Sequence, residues 1–282
     1  MTYADALLHI DSYPSPTTAD VIDEAVALAA GLCSRLTALA IEVEIAVQTN
    51  QLADYLIGLS AMAEAEEAKS RAACRDGIAA FARRADAAGI AHASVLARVN
   101  HYGVADHVAR AARTYDLCLL PLAAEVDGQV EVAQAVVFSS GRPVLIFHKG
   151  ETAGLANGPD LVVIAWDGSR NAVRAMADAM PILVRAKRVR LLTILNDKPD
   201  TTATLGLDAQ RHLHAHGIEA ELESVDRDGG DIGETLDRYV AQHAPDLLVM
   251  GAYGHSRARE FLLGGATEHT LNHSRCPVLL SH

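Results

Sequence analysis

Asp246-Leu-Leu-Val-Met-Gly251-Ala-Tyr-Gly254-His-Ser-Arg-Ala-Arg-Glu-Phe-Leu-Leu-Gly264-Gly265-Ala266-Thr267 joins an apolar run to a helical pattern through glycines. The run from Leu247 to Met250 reads as a buried strand and stops at Gly251. Gly254 follows, and Gly264-Gly265 open a pattern of helical spacing that reaches His273. Glycines at a strand mouth and a helix entrance permit positive φ and let backbone N–H groups approach a ligand with no Cβ between. The helix adds unpaired N–H groups and the positive end of its dipole, which suit a phosphate. A plain turn is the alternative, and glycine content alone does not separate the two.

Upstream of this stretch, strand and helix signals alternate. Leu161 to Trp166 reads as a strand ending at Asp167-Gly-Ser169, and Asn171 to Ala186 as a helix. Val189 to Leu195 is a strand, Ala203 to His216 a helix closed by Gly217, Ala220 to Val225 a strand and Asp231 to His243 a helix. Cys276 to Leu280 is the closing strand. The earlier residues follow the same order. Ala6 to Ile10 is a strand ending at Asp11-Ser12, with Thr17 or Thr18 placed to cap the next helix. Strands follow at Leu36 to Val47, Ala93 to Val99, Asp116 to Leu122 and Pro143 to Phe147, with helices at Val104 to Tyr115 and Val130 to Ser139. Asn50 to Ala88, closed by Gly89, is too long for one ordinary helix and predicts a break or a hairpin arm.

The chain is therefore an internal repeat. Asp11 registers with Asp167, Asp116 with Asp246 and Pro143 with Pro277, at offsets of 156, 130 and 134 residues. The fall between the first two offsets places extra chain in the first half, in the stretch from Asn50 to Ala88. The pattern predicts two doubly wound α/β domains, each with a parallel five-stranded sheet. Residues 1–149 form the first, the turn-rich segment 150–159 a linker, and residues 160–282 the second. Where the second half has Gly251-x-x-Gly254, the first has Leu122-Ala-Ala-Glu125.

Composition narrows the function classes. The 282 residues are half apolar, with one Trp and four Phe, so Ala, Val and Leu fill the core. A formal charge of −12 with no basic stripe argues against nucleic acid and anionic membranes as partners. Cys33, Cys74, Cys118 and Cys276 show no C-x-x-C spacing and read as buried thiols. No signal-like leader or membrane-length run appears, so the cytoplasm is the expected location.

The element order, Asp167-Gly-Ser169 after one strand, G-x2-G-x9-G after another, and Cys276-Pro-Val-Leu-Leu280 at the close resemble the universal stress protein family. The likeness is strong over 159–282 and weaker over 1–149, as a tandem pair of the adenine nucleotide alpha-hydrolase-like fold. It implies ATP, with or without magnesium, as the cofactor. By position it implicates Asp167 and backbone at Ile194 for the nucleoside, and Gly251, Gly254, Gly264, Gly265 and Ala266 for the phosphates. The family's Ser or Thr after the third glycine is replaced by Gly265, with Thr267 two residues on as a substitute hydroxyl. The resemblance also implies that the closing strands, 143–147 and 277–280, meet as an intramolecular pseudo-dimer, with room for a homodimer outside it.

The residues carry roles of their own. Asp167 at a strand's carboxyl end is placed for ribose hydroxyls or for an N-cap, and both readings stand. His255 and Arg257 lie between the glycines and can offset phosphate charge. Trp166 is a base-flanking ring or, more ordinarily for a strand Trp, core. His212/His216 and His269/His273 have i, i+4 spacing, but four-ligand metal sets are not evident. Without a P-loop lysine, a general base or a G-x-S-x-G elbow, at most weak ATP hydrolysis is expected. The competing readings are a nucleotide-binding stress protein and a nucleotide-free tandem scaffold, with a ligase or flavoprotein of similar sheet order behind both.

Overall fold

A computed structural model describes residues 2–46, 58–123, 127–196, 202, 204–227, 229–252 and 265–282. The chain opens with β1 (Ala6–Ile10), α1 (Ala19–Leu32), β2 (Arg35–Glu44), α2 (Leu59–Ala88) and β3 (Ala91–Asn100). A 3-10 turn (His101–Gly103) leads to α3 (Val104–Ala112), β4 (Leu117–Leu122), α4 (Asp127–Ser139), β5 (Val144–His148) and the short α5 (Ala153–Ala156). The second half runs β6 (Leu161–Ala165), α6 (Arg170–Leu183), β7 (Arg188–Leu195), α7 (Leu207–Ala215) and β8 (Ala220–Asp226). It closes with α8 (Ile232–His243), β9 (Leu247–Gly251), α9 (Gly265–His273) and β10 (Val278–Ser281).

The strand order is β3-β2-β1-β4-β5-β10-β9-β6-β7-β8. Within each half every pairing is parallel. The two five-stranded parallel sheets of the repeat are present, and they are fused into one. Val144, Leu145 and Ile146 pair antiparallel with Leu280, Leu279 and Val278. The segments 143–147 and 277–280 thus meet, and each covers an edge that would otherwise expose a row of unpaired N–H and C=O groups.

Helices cover both faces. Buried residues of α1, α2, α6 and α7 form one core with one side of the sheet. Those of α3, α4, α8 and α9 form the other. Strands caught between two such layers become apolar throughout, which is why β4 is buried at all of its positions, Leu117 to Leu122. The repeat landmarks Asp116 and Asp246 tie strand starts together. Asp116 Oδ2 accepts from the N–H of Ala4 (2.9 Å) and Asp5 (3.1 Å) ahead of β1. Asp246 Oδ2 accepts from Asp160 (2.7 Å) and Leu161 (3.0 Å) ahead of β6.

Three local expectations change. Leu59–Ala88 is one continuous helix of 30 residues, with no break, ended by Gly89 in the left-handed region at φ 67°. It is rich in strong helix formers and lacks proline, and only its later part, Ser70 to Ala85, is buried. Residues 50–57 lie outside the described set. The corresponding helix α7 has nine residues, so the extra chain of the first half does fall here. Thr18 occupies the N-cap of α1 without capping it, while Thr17 Oγ1 accepts from Asp11 N–H at 2.9 Å. The turn-rich segment 150–159 is held against α1. Glu24 accepts from Gly150 N–H, Thr152 N–H and the Thr152 hydroxyl, and Leu155 is buried.

Candidate functional site

In a doubly wound sheet the ligand crevice opens at the carboxyl ends of adjacent strands whose helices leave toward opposite faces. In the second half those strands are β6, followed by α6, and β9, followed by α9. Asp167 lies just past β6 and Gly251 ends β9. Ile194 lies two residues beyond the Ala165–Leu192 pair, next to Asp167 in register. The structure thus gathers three sequence-predicted residues at one crevice. Gly265 and Ala266 begin α9. Gly254 and Gly264 lie outside the described residues, as do His255, Arg257 and Arg259.

The turn after β6 is specific. Asp167 Oδ1 accepts from Ser169 N–H at 2.9 Å, and Gly168 between them takes φ 72°. The cap of α6 is Ser169, whose Oγ accepts from Ala172 N–H at 3.2 Å, so Asp167 is not the N-cap. Its carboxylate shapes the turn before the helix. Trp166 is core: its ring is 8% exposed and its Nε1–H donates to Leu205 C=O at 3.3 Å.

Gly251 has a packing duty the sequence did not reveal. A Cβ there would lie 2.5 Å from Asn171 C and 2.6 Å from Ala172 N, so the strand end touches the first turn of α6 backbone to backbone. Asn171 Nδ2 donates to Ala252 C=O at 2.5 Å beside this contact. Gly265 is different, since a Cβ there meets nothing within 4 Å. Thr267, in the first turn of α9, is buried at 2% exposure.

All four cysteines are free and buried, and burial pushes the Cys33, Cys118 and Cys276 thiols up to about 12. Among the described residues no group of three or more His, Cys, Asp or Glu side chains gathers as metal ligands. The histidine pairs contact each other instead: ring centroids are 4.9 Å apart for His212/His216 and 4.5 Å for His269/His273.

The glycine-bordered crevice lies within residues 158–282, which match the universal stress protein family. This segment is similar to universal stress protein domains. A universal stress protein of Synechocystis sp. is 33% identical over 121 residues, or 42% of this chain and 41% of the relative, so the match spans about two-fifths of that relative. A universal stress protein from Archaeoglobus fulgidus shares the fold over 98% of this chain and 97% of its own, with TM-score 0.68 and 18% identity. A Pseudomonas aeruginosa protein of unknown function does so over 98% and 92%, with TM-score 0.54 and 12% identity.

Set beside this segment, the first half fills the matching positions with its own side chains. Asp11, the counterpart of Asp167, faces His9 Nε2 at 3.0 Å and receives Gln129 Nε2–H at 2.6 Å. Gln129 Oε1 accepts from Ala123 N–H, just past β4, at 2.6 Å. Ser12 Oγ donates to Ile41 C=O at 2.5 Å, and Ile41 matches Ile194 because His9 pairs with Leu39 as Ala165 pairs with Leu192. At the landmark offset of 156, His9 corresponds to Ala165 and Ser12 to Gly168, while Gln129 falls between the positions matching Arg259 and Leu263. Neither Ala165 nor Gly168 carries a polar side chain. Aligning the halves residue by residue was the signal that finds them.

Proposed function

We propose that the chain is a stress protein that binds ATP or a related adenine nucleotide through its second half. Asp167 and the strand-end backbone at Ile194 read the nucleoside, and Gly251, Gly254, Gly264, Gly265 and Ala266 line the phosphates. The observation that carries this reading is the exchange of His9 and Ser12 for Ala165 and Gly168. The two side chains that crowd Asp11 and the end of β2 in the first half have no polar equivalents at Ala165 and Gly168, beside strand ends where doubly wound sheets bind ligands. Binding is the function, and turnover beyond weak hydrolysis is not part of it.

Calorimetry with ATP tests the reading. Gly254→Val puts a branched side chain where phosphate needs backbone N–H groups and is expected to abolish binding. Gly265→Ser has room for its side chain and is expected to tighten binding by ~0.5–1.5 kcal/mol, the net worth of one hydrogen bond. Equal affinity in wild type and Gly254→Val refutes the reading and leaves a nucleotide-free tandem scaffold in its place.

A further inference from the structure

We propose that Gln129 is a permanent internal occupant of the first-half site, holding that half in a filled state and leaving only the second half to answer to a ligand. The proposal extends the site assignment above to the other half of the repeat. Gln129 is 7% exposed and sits on α4, 118 residues from Asp11. Its carboxamide makes two bonds of opposite polarity. The NH2 group faces a carboxylate, which only accepts, and the carbonyl oxygen faces Ala123 N–H, which only donates, so chemistry fixes the orientation of the amide.

Those are the polarities an external ligand would need, a hydroxyl donor toward the acid and an acceptor toward the backbone N–H after β4. The remaining addresses are also taken. His9, 3% exposed, meets the second oxygen of Asp11, and Ser12 holds the Ile41 carbonyl. Ser70 Oγ then accepts from Val43 N–H at 3.0 Å, and Glu67 Oε1 from Ile45 N–H at 2.9 Å, closing the end of β2 from α2. A tethered group acts at a high effective concentration and needs no free ligand to fill the site. A ligand entering here must displace Gln129 and replace both of its bonds, or leave a buried N–H unpaired.

A small open recess borders the clasp between Tyr13, His101, Tyr102 and Val132. Among the described residues no Lys or Arg lines it, while Asp11 and Glu131 do. An unphosphorylated nucleoside therefore fits the opened site better than a nucleotide, and adenosine is the probe.

Titration calorimetry compares adenosine binding to wild type, Gln129→Ala and Gln129→Met. Gln129→Ala is expected to gain one binding event over wild type. Adding Asp11→Asn should remove that event, and adding Asp167→Asn should leave it. Gln129→Met keeps the bulk without either hydrogen bond and should gain no site, although both Gln129 variants unfold at lower temperature. Adenosine should restore part of the lost thermal stability in Gln129→Ala only. A folded Gln129→Ala that gains no adenosine site up to millimolar concentration overturns the proposal, as does a gain that survives Asp11→Asn. If Gln129→Ala does not fold, Gln129→Asn, too short to make both bonds, takes its place with the same expected gain. A wild type that binds no ATP refutes the second-half reading separately and leaves this comparison standing.

Discussion

Gly251→Ala separates a glycine needed for packing from one needed only for a ligand. The added Cβ would sit 2.5 Å from Asn171 C and 2.6 Å from Ala172 N, both backbone atoms at the start of α6. Carbon contacts are favourable near ~3.5–4.0 Å, so the end of β9 and the first turn of α6 must part by about 1 Å. Overpacking of this kind costs roughly 1–3 kcal/mol. The same movement stretches the Asn171–Ala252 hydrogen bond, 2.5 Å in the native fold, whose net worth is about 0.5–1.5 kcal/mol. The expected loss is therefore ~2–4 kcal/mol. At about 2–4 °C per kcal/mol for a chain of this size class, the melting temperature should fall by roughly 5–15 °C. Urea unfolding followed by circular dichroism gives the free energy, and a thermal melt the temperature. Gly265→Ala is the control, since its Cβ enters open space and should be neutral or stabilising by up to ~1 kcal/mol. A Gly251→Ala protein within about 0.5 kcal/mol of wild type that has nonetheless lost ATP would refute the packing argument and assign this glycine to the ligand alone.

Asp116→Ala and Asp246→Ala should each destabilise the fold by roughly 1.5–3 kcal/mol, because each carboxylate accepts two backbone N–H groups. The Asn variants keep one accepting oxygen and should lose less; urea midpoints of the four proteins decide. The four thiols should resist alkylation at pH 8 in the native protein and all react once it is unfolded, as counted by mass spectrometry. Burial raises Cys33, Cys118 and Cys276 from an unfolded value of 9.0 to about 12. Their stabilisation is complete below pH 9 and is lost as pH climbs through that window, so Cys→Ala variants should show a flatter alkaline limb in stability measured from pH 9 to 11.

Much of the fold was legible because burial on both faces writes itself locally. Leu117 to Leu122 and Leu247 to Met250 are unbroken apolar runs, and each follows an aspartate that holds the strand beside it. The glycines pointed to the crevice for the same local reason. Gly251 kept half its meaning hidden, since its contact with Asn171 joins residues that no spacing rule connects. The Gln129–Asp11 bond crosses 118 residues, and although Asp11 is a repeat landmark, Gln129 belongs to no motif. The α2 helix exceeds ordinary helix length without a break, because its early part extends beyond the face that packs on the sheet.

The seam between β5 and β10 reverses the direction of the backbone across the middle of the sheet. The carboxyl ends of β1 to β5 consequently line one rim, and those of β6 to β10 line the opposite rim. The molecule has two poles. Asp11 and its clasp stand at one, Asp167 and Gly251 at the other, with the whole depth of the sheet between them. A molecule bound at one rim would share no surface with one bound at the other.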